Sequence, residues 1–428
     1  MEESKKELIG DTGDTLDSGE VMVGKDPYRI ILSQSCVRVL PLKKPKSYEE
    51  YFWSDVVGAV LNQSKESGFV LSVYCKASRR LKSFSFKSEE AEKWVRAIQS
   101  MSFFNRMPSE ESVYRRKLKI FINPQSGRRR ALRIWRRVSG FFSTCELDIT
   151  RTTHRNHAAE LIRILDLSSF DAIIVVSGDG LVHEVLNAIC NREDKEEARL
   201  IPVSVIPAGS ANALAEALCN RCGLETSPES CAFIAVKGLP TPFDLTRIKT
   251  ESAKCIYSFL MFAWAFIADV DIESEVFRCC GACRFDCYGA WRVLFLRRYQ
   301  GSLRWVDEEA KPQTQEGEFL YFLVCNTPFI GEGMNVAPKA SIDDGYNDVM
   351  YLTREVGRSG LTRVLLNQDG GTHVNLRYLN YLKTNKWSLN PESERGVFSI
   401  DGEEYEVEPV KAKVLHNYVT VLTVNKET

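Results

Sequence analysis

The stretch VVSGDGLVHEVLN, from Val175 to Asn187, contains the change of pattern that decides the fold. It begins as a buried strand, turns at Gly178-Asp179-Gly180 and continues with the apolar spacing of a helix. Three further segments repeat this order of strand, polar turn and helix, and their turns read NPQSG, RTTHRN and PAGSAN. Four strands that are each followed by a helix predict a parallel α/β sheet between residues 118 and 240.

The four turns follow the carboxyl ends of the predicted strands, where open α/β sheets bind their ligands. Glycine lets a ligand approach the backbone, and a helix N-terminus offers free N–H groups and a partial positive charge to phosphate. The turns therefore predict a nucleotide or polyphosphate site, although they match neither GxxxxGK[ST] nor GxGxxG.

Asp179 stands between two glycines in the third of these turns along the chain and has two candidate chemical roles. It can accept a proton from an attacking hydroxyl, or it can help to hold Mg²⁺, and both roles belong to phosphoryl transfer. The alternative is that its carboxylate only caps a helix.

The remaining chain divides by pattern into four segments. Residues 1–24 are acidic and rich in Gly, Ser and Thr, which predicts a disordered tail. Residues 25–105 carry short strand candidates and end in one amphipathic helix with Trp94 on its apolar face, a pattern that resembles a pleckstrin-homology domain. Residues 106–117 are predicted to be a linker, and residues 241–428 a mainly antiparallel β domain.

Composition excludes several classes of protein. The net charge of -1 gives no basic footprint for nucleic acid. The longest apolar stretch, residues 256–268, is shorter than the ~20 residues of a membrane-spanning helix, and the first residues lack the apolar core of a secretory signal. We therefore expect a cytoplasmic protein with reduced cysteines. Its cysteine cluster allows two interpretations, a zinc site of CxxC pairs or the packing of Cys280, Cys283 and Cys287 on one helix face.

The segments NPQSG, VVSGDGLVHEVLN, VIPAGSANALA, FIADVDIESE and SIDGEEY together strongly resemble the sphingosine kinases, which are diacylglycerol-kinase-like lipid kinases. The resemblance extends from about Leu118 to Val424. It implies an α/β nucleotide-binding lobe like that of NAD kinases and phosphofructokinases, followed by a β-rich lipid-binding lobe. It also implies that ATP and Mg²⁺ bind in the cleft and that Asp179 is the base that deprotonates the primary hydroxyl of the lipid.

The resemblance implies roles for further residues. Arg278 and Arg284 would neutralise phosphate charge, and Asp271 would recognise the amino alcohol of the lipid, with Glu275 one helical turn beyond it. The lipid tail would lie against Phe266 and Ile267, with His373 at the far part of the pocket. The nucleotide-contacting positions would be Asn123, Ser126, Gly127, Thr152, Ser177, Gly178, Gly180, Ser210, Gly402 and Glu403.

The implied product is sphingosine 1-phosphate, made by a cytoplasmic protein that associates reversibly with the plasma membrane or endomembranes as a monomer or a homodimer. Ceramide kinase is the alternative, because the pleckstrin-like module is more familiar there, although an N-acyl chain would remove the charge that Asp271 recognises. A second alternative is a lipid-binding scaffold with weak catalysis. Ala211 and Ala188 replace family glycines, and Gln125 stands where a basic residue is common.

Overall fold

The structure is a computed structural model that describes residues 14–43, 48–62, 67–108, 115–252, 254–280, 283–392 and 395–426, without the side chains of residues 278–280. The chain forms two compact units. The first contains the chain up to Leu118 together with Trp135–Asp148 and Ser227–Gly238. The second contains Lys119–Ile134, Ile149–Thr226 and Leu239–Thr428.

The helices and strands are numbered along the chain. The α-helices are α1 (Ala91–Phe104), α2 (Ala131–Val138), α3 (His157–Ile164), α4 (Asp179–Cys190), α5 (Lys195–Ala198), α6 (Ala213–Arg221), α7 (Pro228–Lys237), α8 (Phe266–Ala268), α9 (Cys283–Leu294) and α10 (Gly357–Leu366). The strands are β1 (Thr15–Val23), β2 (Asp26–Ser33), β3 (Cys36–Pro41), β4 (Glu49–Phe52), β5 (Val56–Leu61), β6 (Gly68–Cys75), β7 (Arg80–Lys87), β8 (Lys117–Ile122), β9 (Glu146–Arg151), β10 (Ala172–Ser177), β11 (Pro202–Pro207), β12 (Leu239–Thr250), β13 (Cys255–Ser258), β14 (Met261–Ala265), β15 (Tyr299–Val306), β16 (Pro312–Cys325), β17 (Asn347–Thr353), β18 (Asn380–Thr384), β19 (Lys386–Pro391), β20 (Phe398–Ile400), β21 (Glu403–Tyr405) and β22 (Val410–Thr423).

The first unit is built on an antiparallel sheet with the strand order β4-β3-β2-β1-β7-β6-β5. Helix α1 packs its apolar face on this sheet, with Trp94, Ile98 and Met101 in the core. A sheet that ends in one packed helix is the arrangement that the strand pattern and the Trp94 stripe predicted.

Two later segments complete the core of this unit. The ring of Tyr74 stacks on Phe233 of α7 at 4.6 Å, and it lies 5.7 Å from Phe141 in the 3-10 turn Ser139–Thr144. The hydroxyl of Tyr74 also shares a hydrogen bond of 2.8 Å with Ser230 Oγ. Both segments lie within residues 118–240, which were predicted to form the nucleotide-binding lobe, but they belong to the first unit.

Strand β1 corrects the predicted disordered tail. Residues 1–13 lie outside the described residues, but Thr15–Val23 pairs along its length with β2 in antiparallel register. Its inward positions include Asp17 and Gly19 rather than a run of apolar side chains, so the sequence lacks the usual strand alternation. The backbone ladder holds the strand, and Gly19 leaves room for the Trp94 ring, which a Cβ would meet at 2.7 Å.

The second unit is built on one mixed sheet of 15 strands among the described residues. Its main path runs β21-β20-β14-β16-β15-β19-β22-β11-β10-β8-β9, with β12, β13, β17 and β18 paired off it. The pairs β10–β11 and β11–β22 are parallel, whereas β22 pairs antiparallel with β12 and β19. The C-terminal strand β22 therefore joins the α/β part to the mainly antiparallel part, and the two predicted lobes share a sheet.

The sheet order brings the predicted polar turns to one edge. The backbone N–H of Asn123 donates to Val176 O at 3.2 Å, and that of Ala208 donates to Ser177 O at 2.9 Å. Thr152, after β9, donates to Ile122 O at 2.9 Å. The turns that follow β8, β9, β10 and β11 are thus neighbours. Within the described part of the chain, no helix is long and apolar enough to cross a membrane.

Candidate active site

The turns after β8, β10 and β11 meet at glycine positions. A Cβ on Gly178 would lie 2.9 Å from the Cα of Gly209, and a Cβ on Gly209 would lie 2.4 Å from the Cα of Gly178. Gly127 has φ +57°, and a Cβ there would meet Ala208 O at 2.1 Å. Because each contact is with backbone, no side chain could move aside, and glycine is required for the turns to close on one another.

Asp179 is the first residue of α4, yet its carboxylate caps a different helix. Its Oδ2 accepts the backbone N–H of Ala213 at 2.9 Å, and its Oδ1 accepts that of Leu214 at 3.1 Å, both at the start of α6. The residue is 8% exposed. Burial raises the pKa of the Asp179 carboxyl, the two backbone N–H groups oppose that rise, and the charge of Asp401 adds to it.

Asp401 is buried behind the site and holds together three parts of the sequence. Its carboxylate accepts hydrogen bonds from Ser258 Oγ at 2.6 Å and from the backbone N–H groups of residues 259–261 at 2.9–3.1 Å. The Asp401 carboxylate also lies 2.7 Å from Nδ1 of His183, and His183 is on α4, the same helix as Asp179. The other ring nitrogen of His183 lies 3.0 Å from the hydroxyl of Tyr405. This network fixes the turn at residues 401–403 against α4.

Glu403 extends from that turn over the glycines. A Cβ on Gly180 would lie 2.6 Å from Glu403 Oε1, so a side chain at position 180 would displace the Glu403 carboxylate. Its Oε2 accepts a hydrogen bond of 2.6 Å from Arg155 Nη2, in the turn after β9. Glu403 and Arg155 thus connect the turn after β20 with the edge of the α/β sheet.

The other predicted nucleotide positions lie in the same cluster of turns. The side chain of Asn123 accepts the N–H of Gln125 at 3.0 Å, and Ser126 Oγ donates to Ala208 O at 3.0 Å. Ser177 is buried at the end of β10, whereas Ser210 is exposed in the PAGSAN turn. The structure therefore brings together the predicted positions of the four turns and of residues 402 and 403.

Asp271 lies in a single-turn π-helix, Asp269–Glu273, that follows α8. Its Oδ2 accepts a hydrogen bond of 2.5 Å from Ser399 Oγ, on β20. Burial raises the pKa of the Asp271 carboxyl, and the hydroxyl of Ser399 and the charge of Arg284 oppose that rise. Ser399, Asp401 and Glu403 stand at alternate positions of one segment, so this segment contacts both predicted carboxylate sites.

The two carboxylates that flank Asp271 are bound to cations. Asp269 is buried, and its carboxylate accepts a hydrogen bond from Arg292 Nη2 on α9. The hydroxyl of Tyr299 lies 2.8 Å from Asp269 Oδ1 and 2.6 Å from Oδ2. Glu273 accepts hydrogen bonds of 2.5 Å from Arg297 Nη1 and from the hydroxyl of Tyr288 on α9. These pairs attach the π-helix to α9 and β15.

Arg284 is 7% exposed on α9, and its guanidinium lies 4.4 Å from the centroid of its neighbour Phe285. Its Nη1 lies 3.5 Å from Glu275 Oε1 and makes no hydrogen bond within the described residues. A buried guanidinium with unused N–H capacity is suited to an anionic ligand. The side chain of Arg278, the second predicted arginine, lies outside the described residues.

The residues predicted for the lipid tail are buried or partly buried in this unit. Phe266 is buried in α8, and Ile267 is half-buried beside it. His373 is buried between backbone carbonyls, with Nε2 2.8 Å from Val336 O, and burial lowers its pKa. A lining role for these side chains stays a prediction.

The departures from the family pattern are sterically mild. Ala211 has no positive φ, whereas the next residue, Asn212, has φ +54° and closes the turn by accepting the Gly209 N–H at 2.8 Å. The methyl of Ala211 therefore adds no backbone strain. Gln125 and Ala188 occupy their positions without positive φ as well.

The structure gives no support to the cysteine interpretations. Cys283 and Cys287 are exposed on α9, which corrects the expectation that they pack as small apolar side chains, because α9 turns this face to solvent. The side chains of Cys279 and Cys280 lie outside the described residues. In the described parts of the chain, no three His, Cys, Asp or Glu side chains gather in a metal-binding group.

Sequence reasoning missed five residues that hold the site together. They are Arg155, Asp269, Arg292, Ser399 and Asp401. Asp269 and Ser399 had one available signal, since they stand two and three residues from the predicted site residues Asp271 and Gly402. Arg292, the ion-pair partner of Asp269, had no signal in the sequence, because this pairing depends on the tertiary fold.

Comparison with known proteins agrees with this geometry. A diacylglycerol kinase catalytic domain model matches residues 117–248, and a YegS C-terminal NAD kinase beta sandwich-like domain model matches residues 283–423. Sphingosine kinase 1 of Arabidopsis thaliana is 31% identical over 67% of this chain and 68% of its own length. Sphingosine kinase 1 of Homo sapiens is 32% identical over 70% of this chain and 88% of its own length.

The fold also matches a solved structure. A putative diacylglycerol kinase from Bacillus anthracis superposes with a TM-score of 0.54 at 17% identity, covering 73% of this chain and 98% of its own. This similarity concerns the fold alone. Together, the matches confirm the predicted catalytic fold of an α/β part and a β-rich part.

Proposed function

The chain belongs to the sphingosine kinase family of lipid kinases, and from this premise we propose that it transfers the γ-phosphate of ATP to the primary hydroxyl of a sphingoid base. The observation that carries the proposal is the buried carboxylate of Asp179, which lies among the glycine turns. The segment Ser399–Glu403 contacts both the helix of Asp179 and the second carboxylate, Asp271. One carboxylate serves the reacting hydroxyl and the other the amine beside it.

We propose that the nucleotide binds on the turns after β8, β9, β10 and β11. The N-terminus of α4 offers free N–H groups to phosphate oxygens, and the contact of Gly178 with Gly209 keeps side chains away from them. The residues proposed to contact the nucleotide are Asn123, Ser126, Gly127, Thr152, Ser177, Gly178, Gly180, Ser210, Gly402 and Glu403.

Arg284, with Arg278, is proposed to balance the charge of the phosphates. Phosphoryl transfer requires mainly positioning and charge neutralisation, and the free N–H capacity of Arg284 is available for this. Mg²⁺ would neutralise further charge on the phosphates when bound. It usually takes only one or two protein carboxylates, and Asp179 and Glu403 are the carboxylates among the phosphate-facing turns.

Asp179 is proposed to accept the proton of the lipid hydroxyl. The two N–H groups of α6 fix its orientation and keep its charged form available, while burial makes it more basic than an exposed aspartate. A base whose pKa lies closer to the working pH transfers protons more effectively.

Asp271 is proposed to pair with the ammonium group of the sphingoid base. Asp269 and Glu273 are already bound to arginines, so Asp271 is the carboxylate of this segment without an arginine hydrogen bond among the described residues. A charge pair here favours an amine over a neutral lipid. Phe266 and Ile267, with His373 beyond them, are proposed to border the tail.

We also propose that the protein is cytoplasmic and approaches a membrane with α9 and the turn before it. Large apolar side chains are exposed there, and the rings of Trp291 and Phe295 lie 5.2 Å apart. An exposed apolar cluster beside a lipid site fits reversible association with a bilayer surface. The cluster consists of Val276, Phe277, Trp291, Leu294 and Phe295.

The first unit is proposed to be a pleckstrin-homology-like module.

A panel of three lipids tests the proposed substrate. Sphingosine, ceramide and diacylglycerol are each presented in the same mixed micelles with radiolabelled ATP. We expect labelled product from sphingosine well above that from the two lipids that lack a free amine. Preferential labelling of ceramide would show that the proposed substrate is wrong, and no labelling of any lipid would favour a scaffold.

A further inference from the structure

We propose that Ser399 determines the selectivity of the site for an amine-bearing lipid, because its hydroxyl holds Asp271 in the orientation that presents a free carboxylate oxygen to the substrate. This inference rests on the proposed function of Asp271. Ser399 would act as a positioning residue, since it touches Asp271 and not the reacting atoms.

The first observation is the geometry of the contact. Ser399 Oγ donates to Asp271 Oδ2 at 2.5 Å, and Ser399 itself is fully buried on β20. Strand β20 pairs with β14 through Ser399 and Ala263, so the hydroxyl is held at a fixed position. Within the described residues, Oδ1 of Asp271 makes no hydrogen bond and is available for an ammonium group.

The second observation is that the π-helix needs an external support at Asp271. Asp269 and Glu273 are turned towards α9 and β15 by their arginines, which leaves Asp271 on another side of this single helical turn. A free aspartate side chain could rotate between several conformations, and binding of the amine would then include the entropy of ordering it. The hydroxyl of Ser399 removes part of that cost before the lipid arrives.

The charges around Asp271 make this support important. Arg284 faces it from α9, while Glu275 from the following turn and Glu403 from β21 repel its charge. Burial also disfavours the charged form of the Asp271 carboxyl and raises its pKa, whereas Ser399 and Arg284 favour the charged form. Loss of the hydroxyl should raise the pKa of Asp271, so that protonation begins at a higher pH.

The test compares Ser399→Ala with the matched control Ser204→Ala. Ser204 is also a buried strand serine of this unit, but its hydroxyl has no hydrogen-bond partner within the described residues. We expect Ser399→Ala to raise the KM for sphingosine about five- to tenfold, as the loss of one hydrogen bond of ordinary strength does. The KM for ATP should stay within about twofold in both variants, and Ser204→Ala should resemble the unmodified protein.

Two further measurements separate positioning from a general structural effect. The KM for sphingosine should begin to rise at a higher pH in Ser399→Ala than in the unmodified protein as the solution is acidified. Ser399→Cys, which keeps the size but donates weakly, should give an intermediate KM. An unchanged KM for sphingosine in both Ser399 variants, or an equal rise in the KM for ATP, would overturn the inference.

Asp271→Asn distinguishes failure of this inference from failure of the proposed function. If Asp271→Asn raises the KM for sphingosine and Ser399→Ala adds nothing in that background, the two residues act as one unit, as we expect. If Asp271→Asn raises this KM while Ser399→Ala alone has no effect, only the role of Ser399 is refuted. If Asp271→Asn leaves the KM unchanged, the proposed amine recognition fails as well.

Discussion

The proposed nucleotide side and the proposed lipid side of the site are built in different ways. On the nucleotide side, backbone meets backbone, as at Gly178 and Gly209, and Asp179 is held by two main-chain N–H groups. On the lipid side, the π-helix is held by pairs of side chains, as in the ion pair of Asp269 with Arg292. The first region therefore depends on backbone conformation at glycine positions, whereas the second depends on side-chain pairs that each need two correct residues.

The largest expected effect is at the base. Asp179→Asn should lower kcat about 10²- to 10⁴-fold, the range in which general-base catalysis contributes. The amide has a single acceptor oxygen for two N–H groups, so a loss of about 1 kcal/mol in the free energy of unfolding should accompany it. Steady-state kinetics and denaturant unfolding measure the two effects.

The control for this variant is Asp166→Asn. Asp166 also caps a helical turn, by accepting the N–H of Ser168 at 3.1 Å, but it lies outside the site. It should leave kcat unchanged. Substantial turnover by Asp179→Asn would refute the assignment of the base.

The second effect concerns the side-chain framework of the lipid side. Asp269→Ala leaves Arg292 buried without its partner and should lower the free energy of unfolding by about 3–5 kcal/mol. Replacing both residues, Asp269→Leu with Arg292→Met, should recover much of this loss. Urea unfolding of the two variants makes the comparison.

Glu273→Gln is the matched variant for that pair, because Arg297 is 42% exposed and its ion pair is partly solvated. The expected cost is below about 1 kcal/mol. A similar cost for Asp269→Ala and Glu273→Gln would mean that burial of the first pair has no special importance.

The third effect concerns the backbone contact of the nucleotide side. A methyl on Gly178 must push the two turns apart, and overpacking of this kind costs about 1–3 kcal/mol. If ATP binding has to bring the turns back together, the affinity for ATP should fall about 5- to 150-fold. Isothermal titration with a non-hydrolysable ATP analogue measures it. Gly370→Ala, where a Cβ would meet only Thr372 Cγ2 at 4.0 Å, should bind the analogue normally.

The smallest effect is a displacement of the pH profile. Burial raises the pKa of Asp179 above the ordinary 3.8, and the proton acceptor must be ionised. On acidification, kcat should therefore begin to fall at a higher pH than an exposed aspartate would give. A pH series of kcat at saturating sphingosine and ATP measures this limb, and a flat profile down to pH 4 would contradict it.

The contrast between backbone turns and side-chain pairs also explains which residues could be predicted from the sequence. Asp179 and the polar turns were recognisable because strand, turn and helix follow one another within a few residues. Asp401 could not be identified in this way, since its partners Ser258 and His183 lie on separate segments. The shared sheet was also missed, because the parallel pairing of β22 with β11 joins residues more than 200 positions apart.

The core of the first unit has a consequence for synthesis on the ribosome. Its sheet and helix α1 are complete by Phe104, but Phe141 and Phe233, which pack on Tyr74, emerge much later. At about 5–20 residues per second, the roughly 130 residues between α1 and the end of α7 delay these contacts by about 6–26 seconds. During that interval Tyr74 of the nascent sheet lacks the two aromatic side chains that cover it in the finished fold.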